Sequence, residues 1–253
     1  MAKKRAVTAA RAAVERALAG EPEPSLEALL ALSEQGDGCA AASAAELLAF
    51  MGRWSELVPH ARRLLANPSA VSTSNVFSDA CRLVRRASRE LGDPSIIEES
   101  AKLVPASMSA QTNAVLLSEY VEPSSIRAPD VAKYNDAIAA ATKDRRFKNA
   151  PEKLALHAFA LAVVFGVDEA IIERFDETHP HFHFDHAVSV ARAWVKQGQP
   201  ERAWPILRAF VPRWWPVDPA QVAPVILLVD PWISRVVTPE RAREVLAIDR
   251  AHR

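Results

Sequence analysis

The sequence predicts an all-α protein, a right-handed α-solenoid of about six stacked helical hairpins. Three observations predict it: apolar residues at helical spacing, a glycine or proline joint that recurs along the chain, and a shortage of strand signals. The chain has only two tyrosines and no Asn-Gly or Asp-Gly turn between β-branched stretches. A lone hairpin cannot bury its apolar face, so neighbouring hairpins are expected to pack against one another.

Two stretches show the helical pattern most clearly. In 155–165 the residues that share one apolar face are Ala158, Leu161, Ala162 and Phe165. In 187–195 they are Ala187, Val190, Ala191, Trp194 and Val195. Both patterns predict long amphipathic helices.

A joint recurs between the predicted helices. A glycine ends one helix, and an acidic residue or proline within the next few residues starts another. The glycine joints are at Gly20, Gly52, Gly92, Gly166 and Gly198, and looser joints are at Pro129 and Thr238. Successive joints lie 32 to 40 residues apart, which is long enough for two helices and their turns. The spacing therefore predicts one hairpin for each interval.

Two of these joints carry a resemblance to a known superfamily. Segments 52–57 and 198–204 have the sequences Gly-Arg-Trp-Ser-Glu-Leu and Gly-Gln-Pro-Glu-Arg-Ala-Trp. They resemble the turn and the opening of the second helix in a tetratricopeptide repeat. The hairpin rhythm is similar to that of the tetratricopeptide and HEAT-like α-solenoids. The resemblance implies stacked hairpins with a concave surface that can hold a protein or peptide.

The simplest organisation is a single helical-repeat domain over residues 1–253. Four of 17 aromatic residues precede Arg127 and thirteen follow it, which leaves two lobes, 1–126 and 127–253, as an alternative. Eight of 18 prolines lie from Pro200 onward, so we expect short helical pieces and a proline-rich cap over 211–253. The prolines expected to interrupt helices are Pro205, Pro212, Pro216, Pro219, Pro224 and Pro231.

Composition narrows the classes of protein and partner. With 253 residues, 49% hydrophobic and 25% charged, the chain has the balance of an ordinary globular protein. The 31 Lys and Arg residues offset 31 Asp and Glu residues, so no net field attracts nucleic acid. Two cysteines are too few for a disulfide framework, and we expect a reducing, cytoplasmic location. No apolar run approaches the roughly 20 residues of a spanning helix, so no membrane contact is expected.

An arginine stripe is the first candidate contact surface. Its members stand at helical spacing on one face and are Arg82, Arg85, Arg86 and Arg89. Their mutual repulsion favours acidic groups nearby, from the next hairpin or from a partner. The alternative is a solvated face that pairs with Glu90, Glu98 or Glu99.

Tryptophans near the carboxyl end are the second candidate. Trp204 follows the joint at Gly198, and Trp214 and Trp215 lie between Pro212 and Pro216. Two adjacent side chains cannot both point inward from one helix, so one of this pair is a candidate anchor for a partner. The alternative is a loop pair that packs against the domain.

A histidine cluster is the third candidate. Residues 179–186 contain four of the seven histidines, which are His179, His181, His183 and His186. These imidazoles could bind zinc or a similar transition metal with a carboxylate from Asp176, Glu177 or Asp185. The alternative is a polar turn in which the histidines are solvated.

The sequence contains no catalytic motif that we recognise. It has no Gly-x-Ser-x-Gly elbow, Walker phosphate loop, dinucleotide glycine fingerprint or His-Glu-x-x-His helix. This favours a non-catalytic protein that needs no cofactor and binds a protein or peptide through its concave surface, as an adaptor, regulatory or neutralising subunit. Two alternatives stay open: a HEAT-like nucleic-acid-binding or DNA-repair enzyme using Asp218 or Asp230, and a metal-binding protein at the histidine cluster.

Overall fold

The structure is a computed structural model that describes residues 2–68, 74–105 and 183–250. Within these ranges the chain forms ten α-helices and two 3₁₀ turns, with no strand. The all-α prediction is confirmed for this part of the chain. The predicted joints at Pro129 and Gly166, and the predicted helix over 155–165, lie outside the described residues.

Two compact units divide the chain. The first combines Met1–Tyr120 with Trp215–Arg253, and the second is Val121–Trp214. The units group the chain differently from lobes 1–126 and 127–253, because the carboxy-terminal residues belong with the amino-terminal helices. We call residues 215–250 of the first unit the strap.

Six helices lead the first unit. They are α1 (Ala2–Leu18), α2 (Pro22–Glu34), α3 (Gly38–Phe50), α4 (Trp54–Ala66), α5 (Ser74–Leu91) and α6 (Ser95–Leu103). Each helix packs against the next along the chain, and further contacts join α1 with α3, α3 with α5, and α4 with α6. This sequential packing is what paired amphipathic helices need, because each buries its apolar side on its neighbours.

Glycines end the helices where the sequence places joints. Gly20, Gly52 and Gly92 have φ angles of 89°, 75° and 65°, a left-handed conformation that glycine adopts without steric cost. At each joint the following N–H bonds back to the last helical turn, as Arg53 does to the Leu48 carbonyl at 2.8 Å. The three predicted joints are confirmed. Gly36, with φ 91°, ends α2 in the same way and was not predicted.

The centre of the first unit is α3. Every residue from Ala40 to Phe50 is buried, since the alanine-rich sequence lets neighbouring elements approach closely from several sides. Asp37 caps the helix by accepting a hydrogen bond from the Ala40 N–H at 2.9 Å. The helix therefore has little side-chain bulk and no solvent-exposed face over these residues.

The strap is built from short pieces, as its prolines predict. It contains α9 (Ile226–Val229), a 3₁₀ turn (Ile233–Arg235) and α10 (Pro239–Ala247). Thr238 caps α10 through the Arg241 N–H, which confirms the joint at Thr238. Helix α9 packs on α5, and α10 packs on α3. The strap thereby completes the core of helices formed by the first hundred residues.

The second unit is described over residues 183–214. It contains α7 (Phe184–Lys196), α8 (Pro200–Phe210) and a 3₁₀ turn (Val211–Arg213). Gly198, with φ 76°, separates α7 from α8, so this joint and the helix predicted over 187–195 are confirmed. The prediction that Pro205 interrupts a helix is wrong, because α8 continues through it. Pro205 is the exposed sixth residue of this 11-residue helix, where it removes a backbone hydrogen bond, and the packing of α8 on α7 outweighs that cost.

Candidate interaction surface

Polar side chains of α3 hold the strap by its backbone. The Ser43 hydroxyl donates to the Ala220 carbonyl at 2.6 Å. The Glu46 Oε2 atom accepts from the N–H groups of Val222 and Ala223 at 2.7 and 3.1 Å. Irregular backbone buried in a core must find partners for its N–H and C=O groups, and these two side chains supply them.

Glu46 is only 2% exposed, which changes its protonation. Burial raises the pKa of its carboxyl well above the ordinary value, and the nearby carboxylates of Asp79 and Asp218 raise it further. The two backbone N–H groups lower the pKa, but they do not offset burial. Burial also raises the pKa of Asp79, while Arg82 and Gln221 act in the opposite direction.

The first turn of the strap is fixed by its own side chains. Gln221 Oε1 accepts from the N–H groups of Val217 and Asp218 at 2.9 and 3.1 Å. Asp218 Oδ1 accepts from the Ala220 N–H at 2.8 Å. Gln221 Nε2 donates to Asp79 Oδ2 at 3.2 Å, which ties the turn to α5. Residues 217–221 are thus held in one conformation against the helices.

Two large apolar side chains at this turn face solvent. Trp215 is 59% exposed and Val217 is 73% exposed. The Val217 N–H is fixed by Gln221, so its side chain is presented from a defined backbone. An exposed valine on a fixed turn, with an exposed tryptophan two residues before it, is typical of an anchor for a protein partner.

The four arginines of the stripe differ in their contacts. Arg86 donates to the Leu228 carbonyl of the strap at 3.1 Å and pairs with Glu90 at 2.7 Å. Arg82 pairs with Asp79 at 3.0 Å. Arg85 is half-buried and Arg89 is exposed. Arg82 and Arg86 therefore make contacts within the chain, and Arg89 presents its charge to solvent.

The three candidate tryptophans differ in exposure. Trp204 is buried within the second unit, where it lies on α8. Trp214 is half-buried at the end of that unit, and Trp215 begins the strap. Of the three predicted contact residues, Trp215 is the one with a mostly exposed side chain.

The described part of the histidine cluster is the start of α7. The His183 N–H donates to the His186 Nδ1 atom at 3.0 Å, and the two rings stack with centroids 5.7 Å apart. His179 and His181 lie outside the described residues. Within residues 2–68, 74–105 and 183–250, no three His, Cys, Asp or Glu side chains are placed to hold a metal ion together.

The acids considered for a DNA-repair alternative have local roles. Asp218 stabilises the first turn of the strap, and Asp230 Oδ1 accepts from the N–H groups of Trp232 and Ile233, each at 2.9 Å. Both residues are buried. Each carboxyl serves the backbone of its own turn.

Sequence reasoning missed the residues that attach the strap. Glu46 is the one charged residue in the sequence of α3, and Ser43 is its one hydroxyl residue. A lone acid in an alanine and leucine stretch is a signal that could have identified Glu46, because a buried charge requires partners. Nothing in the sequence indicates that those partners lie in residues 222 and 223.

In the described ranges, fold and site together define an all-α arrangement in which residues 215–250 pack on helices of the first hundred residues. Among the helices in the described ranges, none combines the length and apolar character needed to cross a membrane. Comparisons of the chain with protein-family models, with curated proteins and with solved structures found no match.

Proposed function

We propose that this chain is a non-catalytic helical-repeat protein that binds another protein through Trp215 and Val217. The observation that carries the proposal is the exposure of Val217, on a turn that Gln221 and Asp218 hold in place, and of Trp215 two residues before that turn. An anchor on a fixed turn loses little conformational freedom on binding, so more of its buried area contributes to affinity. Tryptophan is also the residue type most enriched among interface residues that dominate binding energy.

The charges beside this turn support an acidic partner. Helix α5 carries four arginines against two acids, Asp79 and Glu90. A continuous chain of contacts runs from Arg82 through Asp79 and Gln221 to the Val217 N–H. A partner with an apolar pocket for Trp215 and carboxylates around it would match both features.

The proposed solenoid order has support from packing in the first unit. Consecutive helices from α1 to α6 contact each other, and so do the alternate pairs α1 and α3, α3 and α5, and α4 and α6. A concave surface was the expected contact surface. Because the strap already packs on α3 and α5, we place the partner contact at the exposed start of the strap. The unpaired thiols of Cys39 and Cys81 support the proposed cytoplasmic location.

A matched pair of variants tests the proposal. Full-length protein carrying Trp215→Ala and Val217→Ser is compared with full-length protein carrying Leu91→Ala and Leu103→Ala, whose leucines are 43% and 41% exposed. Proteins captured from a native lysate are quantified by mass spectrometry. The captured amount of a specific partner should fall about tenfold or more with the first variant and should stay at the wild-type level with the second. Equal capture by both variants and by wild type would refute the proposed surface.

A charge variant tests the chemistry of the partner. Arg89→Glu reverses an exposed charge on α5 without removing a contact to the strap. If the partner is acidic, its capture should weaken with Arg89→Glu and also with rising salt. Capture that is insensitive to both would contradict an acidic partner while leaving the Trp215 anchor intact.

A further inference from the structure

The strap meets α3 and α5 at a cluster of carboxyl groups, of which Glu46 and Asp218 are buried and Asp79 is half-buried. Glu46 lies on α3, Asp79 on α5 and Asp218 in the first turn of the strap. Glu46 and Asp79 are hydrogen-bonded to the strap: Glu46 accepts from the Val222 N–H, and Asp79 accepts from Gln221. The attachment of the strap therefore depends on acids from three separate elements.

The other charged groups around Glu46 are few. Arg82 on α5 pairs with Asp79, and Arg250 at the end of the strap attracts Glu46 electrostatically. Arg250 is itself committed to the carbonyls of Val245 and Ala17, at 2.7 and 3.1 Å. Cys39, also on α3, is a half-buried thiol near Asp218.

The other helices packed against α3 are α1, α2, α4 and α10, and no acid is among the buried residues described on them. The buried His60 of α4 uses its Nδ1 atom to bond Ser33 of α2 at 2.9 Å. The buried residues described on α1 are apolar, and they are Ala10, Ala13, Val14 and Ala17. Arg82 thus pairs with Asp79 and Arg250 bonds backbone carbonyls, and no ion pair with Glu46 is found for either arginine in the described residues.

We propose that Glu46, which lies beside Asp79 and Asp218, is a pH-sensitive lock that holds the strap on α3 and α5 and loosens as pH rises. With Glu46 protonated, its Oε2 atom bonds two strap N–H groups without placing a charge beside two other carboxylates. Ionisation puts a negative charge on a side chain that is only 2% exposed. Release of the strap carries Asp218 away and returns Glu46 to solvent, which relieves both costs.

The sign of the effect follows from proton binding. In the attached state the pKa of Glu46 is raised mainly by burial, and in the released state it returns to its ordinary value. Attached protein therefore holds one more proton between those two values. Attachment is strongest below the ordinary pKa of glutamate and is lost as pH rises through the raised pKa. In that window the released fraction grows about tenfold for each pH unit.

Hydrogen exchange on the full-length protein tests the lock. Exchange of peptides that cover residues 218–229 is followed by mass spectrometry from roughly pH 5 upward and corrected for the intrinsic pH dependence of exchange. In wild type the opening constant of the strap should rise with pH, while the amides of α4 stay protected. A strap whose opening is independent of pH overturns the proposal, and so does loss of protection in strap and α4 together.

Two substitutions on α3 separate titration from attachment. Glu46→Gln keeps an oxygen to accept from Val222 and Ala223 but cannot ionise. The opening constant of the strap, which in wild type should rise by up to about tenfold per pH unit, should therefore no longer depend on pH through this residue. Ser43→Ala removes the bond to Ala220, which does not titrate, and should increase opening by a similar factor at every pH. A wild-type pH slope in Glu46→Gln would overturn the proposal. If that variant does not fold, the wild-type profile and the Ser43→Ala profile still decide it.

Discussion

The carboxyl of Glu46 accepts a hydrogen bond from the backbone N–H of Val222, which lies 176 residues further along the chain. This contact joins the central helix of the first unit to a strap that is separated from it in sequence by the whole second unit. A buried acid is thus the hydrogen-bond acceptor for backbone N–H groups that are themselves buried. Its removal should therefore affect stability more than loss of an ordinary surface carboxyl.

Glu46→Ala should lower the free energy of unfolding by about 2–4 kcal/mol, because two buried N–H groups lose their acceptor. The N–H groups are those of Val222 and Ala223. Urea unfolding followed by circular dichroism measures the change. Glu27→Ala on the exposed side of α2 is the control and should change the free energy by no more than about 0.5 kcal/mol. Equal effects would mean that the strap does not depend on Glu46.

Gly20→Ala should destabilise the protein more than Gly52→Ala. Both glycines have left-handed φ angles, which cost an alanine about 1–2 kcal/mol. A Cβ atom at Gly20 would also lie 3.0 Å from the Ala247 carbonyl oxygen of α10, whereas at Gly52 nothing lies within 4 Å. The difference in urea midpoint between the two variants measures the contact of α10 with the first joint. An equal loss of stability in both variants would show that α10 moves away from the new Cβ atom without a cost in free energy.

Arg86→Ala should destabilise the first unit by about 1–3 kcal/mol, because the Leu228 carbonyl loses a charged donor. The pair with Glu90 adds less, since this ion pair is partly exposed to solvent, which screens it. Arg89→Ala on the same helix is the matched control and should stay within about 0.5 kcal/mol. Thermal unfolding of both variants provides the measurement. If Arg89 proves the more important arginine, the orientation of α5 described above is wrong.

The two cysteines should differ in reactivity. Burial raises the pKa of Cys81 to about 12, and burial followed by the charges of Asp37 and Asp218 raises the pKa of Cys39. At pH 8 the Cys81 thiolate is then on the order of one part in 10⁴, so native protein should be alkylated at Cys39 first. Peptide mass spectrometry after brief iodoacetamide treatment measures this order. In urea both cysteines should react at similar rates, and faster labelling of native Cys81 would contradict its burial.

Local physics made much of the helical architecture predictable. The spacing of apolar residues indicated α7, and the joints at Gly20, Gly52, Gly92 and Gly198 indicated where chains of helical hydrogen bonds end. These signals work because helix periodicity and left-handed glycine are properties of neighbouring residues. Pro205 was misjudged for the complementary reason, since packing of α8 on α7 decides whether a proline is tolerated.

The candidate contact residues were predictable only in part. Helical spacing placed Arg82, Arg85, Arg86 and Arg89 together, but it could not show that Arg86 reaches the strap. The adjacent pair Trp214 and Trp215 left open either an exposed anchor or a loop pair packed on the domain, and in the structure Trp215 is the more exposed of the two. Periodicity assigns residues to a face of one helix, and the direction of that face is decided by distant segments.

The residue pattern alone predicts helices in the described ranges and shows where several of them end. The return of residues 215–250 to α3 and α5, with Trp215 exposed and Glu46 buried, is visible only in the folded chain. It could not be predicted because the strap is held largely through backbone groups, as at Ala220, Val222 and Leu228. Every residue carries a carbonyl and almost every residue an N–H, so the sequence contains no mark of which ones a distant side chain will bind.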